Sequence, residues 1–191
     1  MMVSGQRIRQ IIDHGELTFS GTVRGDSLLL TLGDQLLNFQ GTGRLVEAWE
    51  AASVMSAYSD QMDGWEEYDL SPLSSVLISA KEYLHMPEYL SATIGTLSHV
   101  ARLGLFAHFS SPFVDPLYSG YLTLELFNAS PHFLRLRPGM AVAKLIISEV
   151  AGRDPETESC PNPFYYSSPP SLKPKLMSRY FEEFSKPGEK E

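Results

Sequence analysis

The sequence predicts an all-β barrel or sandwich with a short N-terminal helix and one or two further small helices. Three observations lead there. From Leu17 onward the apolar residues recur with a period near two, as in strands with one buried face. These runs are short and bounded by Gly, Pro, Asp, Asn or Ser, the spacing of antiparallel strands joined by turns. A chain of 191 residues, 43% hydrophobic and 20% charged, is that of one globular domain with a sizeable core.

In chain order, Val3 to His14 reads as an amphipathic helix. Ile8, Ile11 and Ile12 share a face, Ser4 caps the start and Gly15 stops it. Strand-like runs follow in LTFSGTV, SLLLTLG, SVLISAKEYLHM, SATIGTLSHV, LFAHFSS, GYLTLELFN, HFLRLR and AVAKLIISEV. A helix is expected within RLVEAWEAASVMSAYS, where Leu45, Trp49 and Ala52 form a stripe beside Val46. After Val150 the chain turns rich in Pro, Ser and charge. Residues 1–150 therefore read as the barrel, and 151–191 as an extended arm and possible lid. SRYFEEF suits one or two helical turns within that arm.

Composition narrows the function classes. No run approaches the roughly 18 consecutive apolar residues of a membrane span, and the charged start is unlike a secretory signal. The single Cys160 cannot form an internal disulfide, so the expected compartment is the cytoplasm. A net charge of −8 disfavours binding to nucleic acid or anionic membranes, yet leaves a small phosphorylated ligand open. No C-x-x-C accompanies Cys160 and no H-E-x-x-H is present, so no protein-bound zinc is expected. His108, on LFAHFS, reads as a packed strand residue. Phosphate-loop, dinucleotide and nucleophile-elbow motifs are also missing.

One carboxylate stands out. In GYLTLELFN, alternation puts Leu122, Leu124 and Leu126 on one face and Tyr121, Thr123, Glu125 and Phe127 on the other. A carboxylate among aromatics is either half-solvated at a rim or buried for a purpose. Read without any family, Arg102 is half of an ion pair between strands or subunits. Ser98 is a strand-end hydroxyl satisfied by backbone.

The run from Ser98 to Ile146 carries S-x-x-x-R-L-G-L, then V-D-P-x-Y-S-G, L-E-L-F-N and L-R-P-G-M. In order and spacing it resembles the superfamily of trimeric dCTP deaminases and dUTP diphosphatases, the deaminase branch most of all. The resemblance implies a dUTPase-like, distorted, jelly-roll-like β-barrel, assembled as a homotrimer with sites between subunits. It implies hydrolytic deamination of a cytosine deoxynucleotide, most simply dCTP to dUTP and ammonia, with Mg²⁺ carried on the ligand phosphates. Glu125 takes the place of the general acid/base, with Ser98 and Arg102 lining the same pocket. Asp115 matches the Asp near the deoxyribose. A backbone carbonyl near Ser111, together with Tyr118 and His99, falls among the substrate-binding positions. One carboxylate can serve both proton transfers of deamination by alternating between base and acid.

The departures fall on the phosphate side. The G-R-S-S of many deaminases reads Thr96, Leu97, Ser98, His99, and the Arg of H-R-I-D-P is Phe113. In the S-x-D-L-R-L-G stretch, Ser27 to Gly33, an Asp and an Arg have become Leu29 and Thr31. The K-Y-x-x-Q lid element is not visible, although Lys173, Lys175 and Arg179 supply charge and Tyr165 and Tyr166 read as lid or packing residues. Each lost charged contact costs about 1.5–3 kcal/mol, so two would weaken a triphosphate roughly a hundredfold unless replaced. Two other readings stay open. One is a diphosphatase or bifunctional enzyme in which Asp115 activates water at the α-phosphate. The other is a trimeric nucleotide-binding relative without turnover.

Overall fold

The computed structural model describes residues 1–40, 43, 45–48, 50–152 and 166–167. Helix α1 (Gly5–Asp13) leads into β1 (Thr18–Phe19), β2 (Val23–Arg24) and β3 (Ser27–Asn38). Helix α2 (Ala51–Met55) precedes β4 (Met62–Asp63), β5 (Tyr68–Leu70), β6 (Ser75–His85) and β7 (Leu90–Thr96). Helix α3 (Ser98–Ala101) precedes β8 (Leu105–Phe106), β9 (Phe113–Val114), β10 (Ser119–Asn128), β11 (Leu134–Leu136) and β12 (Ala141–Glu149). A last short strand, β13, is Tyr166–Ser167. The strands join in the order β13-β10-β6-β3-β12-β7-β9, a curled half-barrel, while β5 and β11 pair separately. The fold is all-β, as expected. No helix among the described residues is long and apolar enough to cross a membrane.

Strand β3 holds the two walls together. Leu28 to Thr31 pair with β12, whereas the stretch from Leu32 to Asn38 pairs with β6. The register slips between Leu32 and Leu36, at Gly33. A Cβ at Gly33 would stand 2.5 Å from Ser79 Oγ and 2.8 Å from Ser79 O. Only glycine lets the strand pass that close to β6. Leu28, Leu30, Leu32 and Leu36 are fully buried in the common core. Leu122, Leu124 and Leu126 of β10 point into it too, leaving Tyr121, Thr123, Glu125 and Phe127 half-buried on the outer face.

The N-terminal helix forms, two residues later than expected. Ser4 Oγ accepts from Arg7 N at 3.3 Å, Ile8 and Ile11 are buried, and Gly15 takes φ +75° just past the end. Val3 stays outside because its N–H donates to Ile147 O at 2.9 Å, which fixes residues before Ser4 as an edge along β12.

Three expectations need correcting. The helix expected over RLVEAWEAASVMSAYS shrinks to α2. Ser53 Oγ accepts the Glu47 N–H at 2.9 Å and Glu50 is extended, so a turn takes the place of the first helical turns. Leu45 is 89% exposed rather than on a buried stripe, and Trp49 lies outside the described residues. SATIGTLSHV is not one strand: β7 stops at Thr96 and α3 starts at Ser98. LFAHFSS forms only the two-residue β8, so His108 lies in the loop beyond it, with Nδ1 buried and without a hydrogen-bond partner among the described residues. Strand β13 pairs in parallel with Ser119 and Gly120 of β10. Tyr165 and SRYFEEF lie outside the described residues.

Candidate active site

Glu125 sits in a row across the sheet, opposite Leu77 of β6, which in turn pairs with Leu37 of β3. The carboxylate is half-buried and accepts one long hydrogen bond, from Phe109 N to Oε2 at 3.4 Å. An ionised carboxylate has about four acceptor positions, so most of its capacity faces the open side. Phe109 closes one flank, its ring edge-on to Phe127 at 4.9 Å, with Phe106 tilted against Phe127 at 6.5 Å.

Tyr58 approaches from the other flank, its ring T-shaped against Phe39 at 5.2 Å. Burial raises the Tyr58 phenol above its usual range, and the negative charge of Glu125 raises it further. At neutral pH the phenol stays protonated. Replacing Glu125 by Gln removes the second cause and keeps the first. The Tyr58 titration, isolated at 295 nm by subtracting the Tyr58→Phe protein, should then move to lower pH. An unmoved titration would mean that the two groups do not sense each other.

The main chain next to Glu125 is also available. Among the described residues, β10 is paired on its second edge only at Ser119 and Gly120, by β13, and at Phe127 and Asn128, by β8. Between them Tyr121 to Leu126 hydrogen-bond to β6 alone, so alternate residues turn free N–H and C=O groups outward.

Two of the other expected site residues share a second place. Ser98 and His99, at the start of α3, line a cavity of about 280 Å³ with Arg24, Ser27, Leu29, Leu97 and Lys144. Arg102 is the exposed C-cap of α3. No hydrogen bond or ion pair joins Glu125 to Ser98 or Arg102 among the described residues. Ser111 is exposed in the loop before β9. Asp115 opens a tight turn in which its carbonyl accepts from Tyr118 N at 3.3 Å. Pro116 fixes the second position and Leu117 takes φ +64°, a left-handed conformation that costs a non-glycine residue about 1 kcal/mol. Tyr118 is buried, and its carbonyl holds Met86 N at 2.8 Å.

A family model described as dCTP deaminase-like matches residues 2–150. The chain belongs to the dCTP deaminase family. It is 32% identical over 161 residues to the dUMP-forming dCTP deaminase of Aquifex aeolicus, spanning 82% of this chain and 85% of that one. To the dCTP deaminase of Halorubrum lacusprofundi it is 35% identical over 130 residues, 67% of this chain and 64% of that one. Its fold matches the crystal structure of 2'-deoxycytidine 5'-triphosphate deaminase from Agrobacterium tumefaciens with a TM-score of 0.59 at 17% identity. That match covers 76% of this chain and 46% of the other.

Against this family background, three residues in the site region escaped the sequence reading. Tyr58 has no motif of its own and comes under the charge of Glu125 because the segment after α2 folds back beside Phe39. Arg24 and Lys144 are far apart in sequence and meet through strand pairing. Lys144 did leave a trace, as the one charged residue within the apolar run AVAKLII.

Proposed function

We propose that the protein deaminates dCTP hydrolytically, giving dUTP and ammonia, with Glu125 as general base and then general acid. The observation that supports it most is the half-buried Glu125 beside a free strand edge. A planar pyrimidine can pair with the main chain there and present C4 to the carboxylate. In this reading Glu125 takes a proton from water as the oxygen bonds to C4. It passes that proton to ring N3, then moves the proton of the new hydroxyl to the amino nitrogen, and ammonia leaves as the C4–N bond breaks. Ser98 and the carbonyl near Ser111 orient the water. Arg102 holds Glu125 or the base with its forked donors. Asp115, Tyr118 and His99 complete the nucleotide pocket.

Since no hydrogen bond or ion pair among the described residues joins Ser98 or Arg102 to Glu125, the complete site in this reading lies between subunits of a homotrimer. The exposed Phe106, Phe109 and Phe113 supply apolar surface for such an interface. The described residues form no cluster of three His, Cys, Asp or Glu side chains able to hold a metal. Magnesium is therefore assigned to the phosphates, as part of the substrate, and no proton transfer is routed through it.

The test is mass spectrometry of dCTP incubated with the protein and Mg²⁺, with ammonia measured in parallel. A product about one dalton heavier, accompanied by equal ammonia, is expected from replacing an amino group by oxygen. Unchanged dCTP would reject the proposal. Mixed and reassembled Glu125→Gln and Arg102→Ala proteins should regain activity that neither has alone. Failure of the mixture would reject the shared site.

A second reading has one observation in its favour: the Aquifex aeolicus relative carries the name dUMP-forming. On that reading Asp115, held by its strained turn, activates a second water at the α-phosphate and pyrophosphate leaves. Pyrophosphate that appears with wild-type protein and vanishes with Asp115→Asn would favour it.

A further inference from the structure

The cavity beside Ser98 gathers positive charge in a chain whose net charge is −8. Two strands deliver it. Arg24 ends β2, where it pairs with Ser27 across the turn at Gly25 (φ +58°), and Ser27 Oγ donates to Arg24 O at 3.0 Å. Lys144 lies on β12, opposite Leu29 of β3 on one side and Gly95 of β7 on the other. The missing side chain of Gly95 leaves the Lys144 stem room to lie along the sheet. Its Cγ and Cε stand 3.9 Å from where a Cβ would be. His99 and the hydroxyl of Ser27 add further donors.

No carboxylate lines this cavity. The acid nearest to Arg24 in sequence, Asp26, is turned towards α1, where Oδ1 accepts from Gly5 N at 2.7 Å. Neither Arg24 nor Lys144 makes an ion pair among the described residues. Two unneutralised cations on one wall repel each other, so the arrangement is complete only with an anion between them. At about 280 Å³ the cavity is smaller than the roughly 300–1,000 Å³ of whole-ligand pockets. It suits a polyphosphate segment rather than an entire nucleotide.

Leu97 makes the point specific to this chain. It stands where the resembled deaminases carry a phosphate-binding Arg. Here it is half-buried and packed against the core, with its N–H on Val142 O at 2.9 Å. We propose that Arg24 and Lys144 bind the phosphates of the substrate, supplying from β2 and β12 the charge that position 97 has lost. The proposal rests on the nucleotide reading above and adds the residues that recognise the polyphosphate.

Titration calorimetry on the full chain tests it, with inorganic tripolyphosphate, dCTP and deoxycytidine as separate probes. Arg24→Gln and Lys144→Gln should each weaken dCTP and tripolyphosphate about tenfold, as loss of one charged hydrogen bond does, and leave deoxycytidine unchanged. Adding Leu97→Arg to Arg24→Gln should recover most of the loss. The charge-conserving Arg24→Lys and Lys144→Arg guard against misfolding and should bind within about threefold of wild type. Unchanged dCTP and tripolyphosphate affinity in both Gln variants would overturn the proposal, as would an equal loss for deoxycytidine. If tripolyphosphate responds as stated while wild type binds no cytosine compound, the anion site stands and the deaminase reading falls.

Discussion

Glu125→Gln should lower the rate of ammonia release from dCTP by about 10²–10⁴-fold, the usual contribution of a general acid–base group. The amide keeps the size of the carboxylate, and its oxygen can still accept from Phe109 N. Binding should therefore change far less than turnover, and the loss should fall on kcat. Stability should hardly move, since the one hydrogen bond at stake among the described residues is a long one to a half-exposed group. A variant retaining turnover within about threefold would remove Glu125 from the chemistry and with it the mechanism proposed.

The largest expected loss of stability is at Asn128, three residues along the same strand. Its side chain is fully buried and joins three segments. Nδ2 donates to Leu70 O at 3.0 Å, Ser71 O at 3.1 Å and His132 O at 2.7 Å. Oδ1 accepts from Ser130 N at 2.9 Å and Ser130 Oγ at 2.7 Å. The amide has two hydrogens for three carbonyls, so one is shared, and every polar atom is in use. Asn128→Leu keeps the branched shape and strands the partners. At about 1–3 kcal/mol for each buried group left unsatisfied, the cost should reach about 3 kcal/mol or more. For a chain of this size that lowers Tm by about 6–12 °C. Urea or thermal unfolding measures it, and a loss under about 1 kcal/mol would show that the loops rearrange to satisfy themselves.

The strand faces were legible in the sequence wherever one side of a strand meets the core and the other does not. GYLTLELFN is such a segment: the side on which Glu125 would sit followed from alternation alone. The N-terminal helix was legible for the same reason, with Ser4 and Gly15 as its ends. What misled was local chemistry with two meanings. Gly33 reads as the end of a strand, yet β3 runs through it because the glycine permits close passage over Ser79. EAASVM has good helix formers throughout, but the Ser53 hydroxyl competes for a backbone N–H and delays the helix. The motif residues of the site could be named by resemblance, whereas their grouping could not. Strand pairing decides that Ser98 keeps company with Arg24 and Lys144 while Glu125 keeps company with Tyr58 and Phe109, and no spacing in the sequence encodes it.

The position of β12 also shapes how the chain is made. It is inserted between β3 and β7, both of which precede it by many residues. A ribosome adding roughly 5–20 residues per second leaves the β3 and β7 edges open for several seconds before residue 149 emerges. During that interval Leu28 to Thr31 and Leu90 to Thr96 lack their β12 partner, and these open edges can recruit each other or another nascent chain. Closure also needs contacts between residues far apart in sequence, which makes folding slow as well as late. Overexpression at reduced temperature, where synthesis slows and hydrophobic association weakens, should accordingly raise the soluble yield. A chain cut before Ala141 should fail to fold at any temperature.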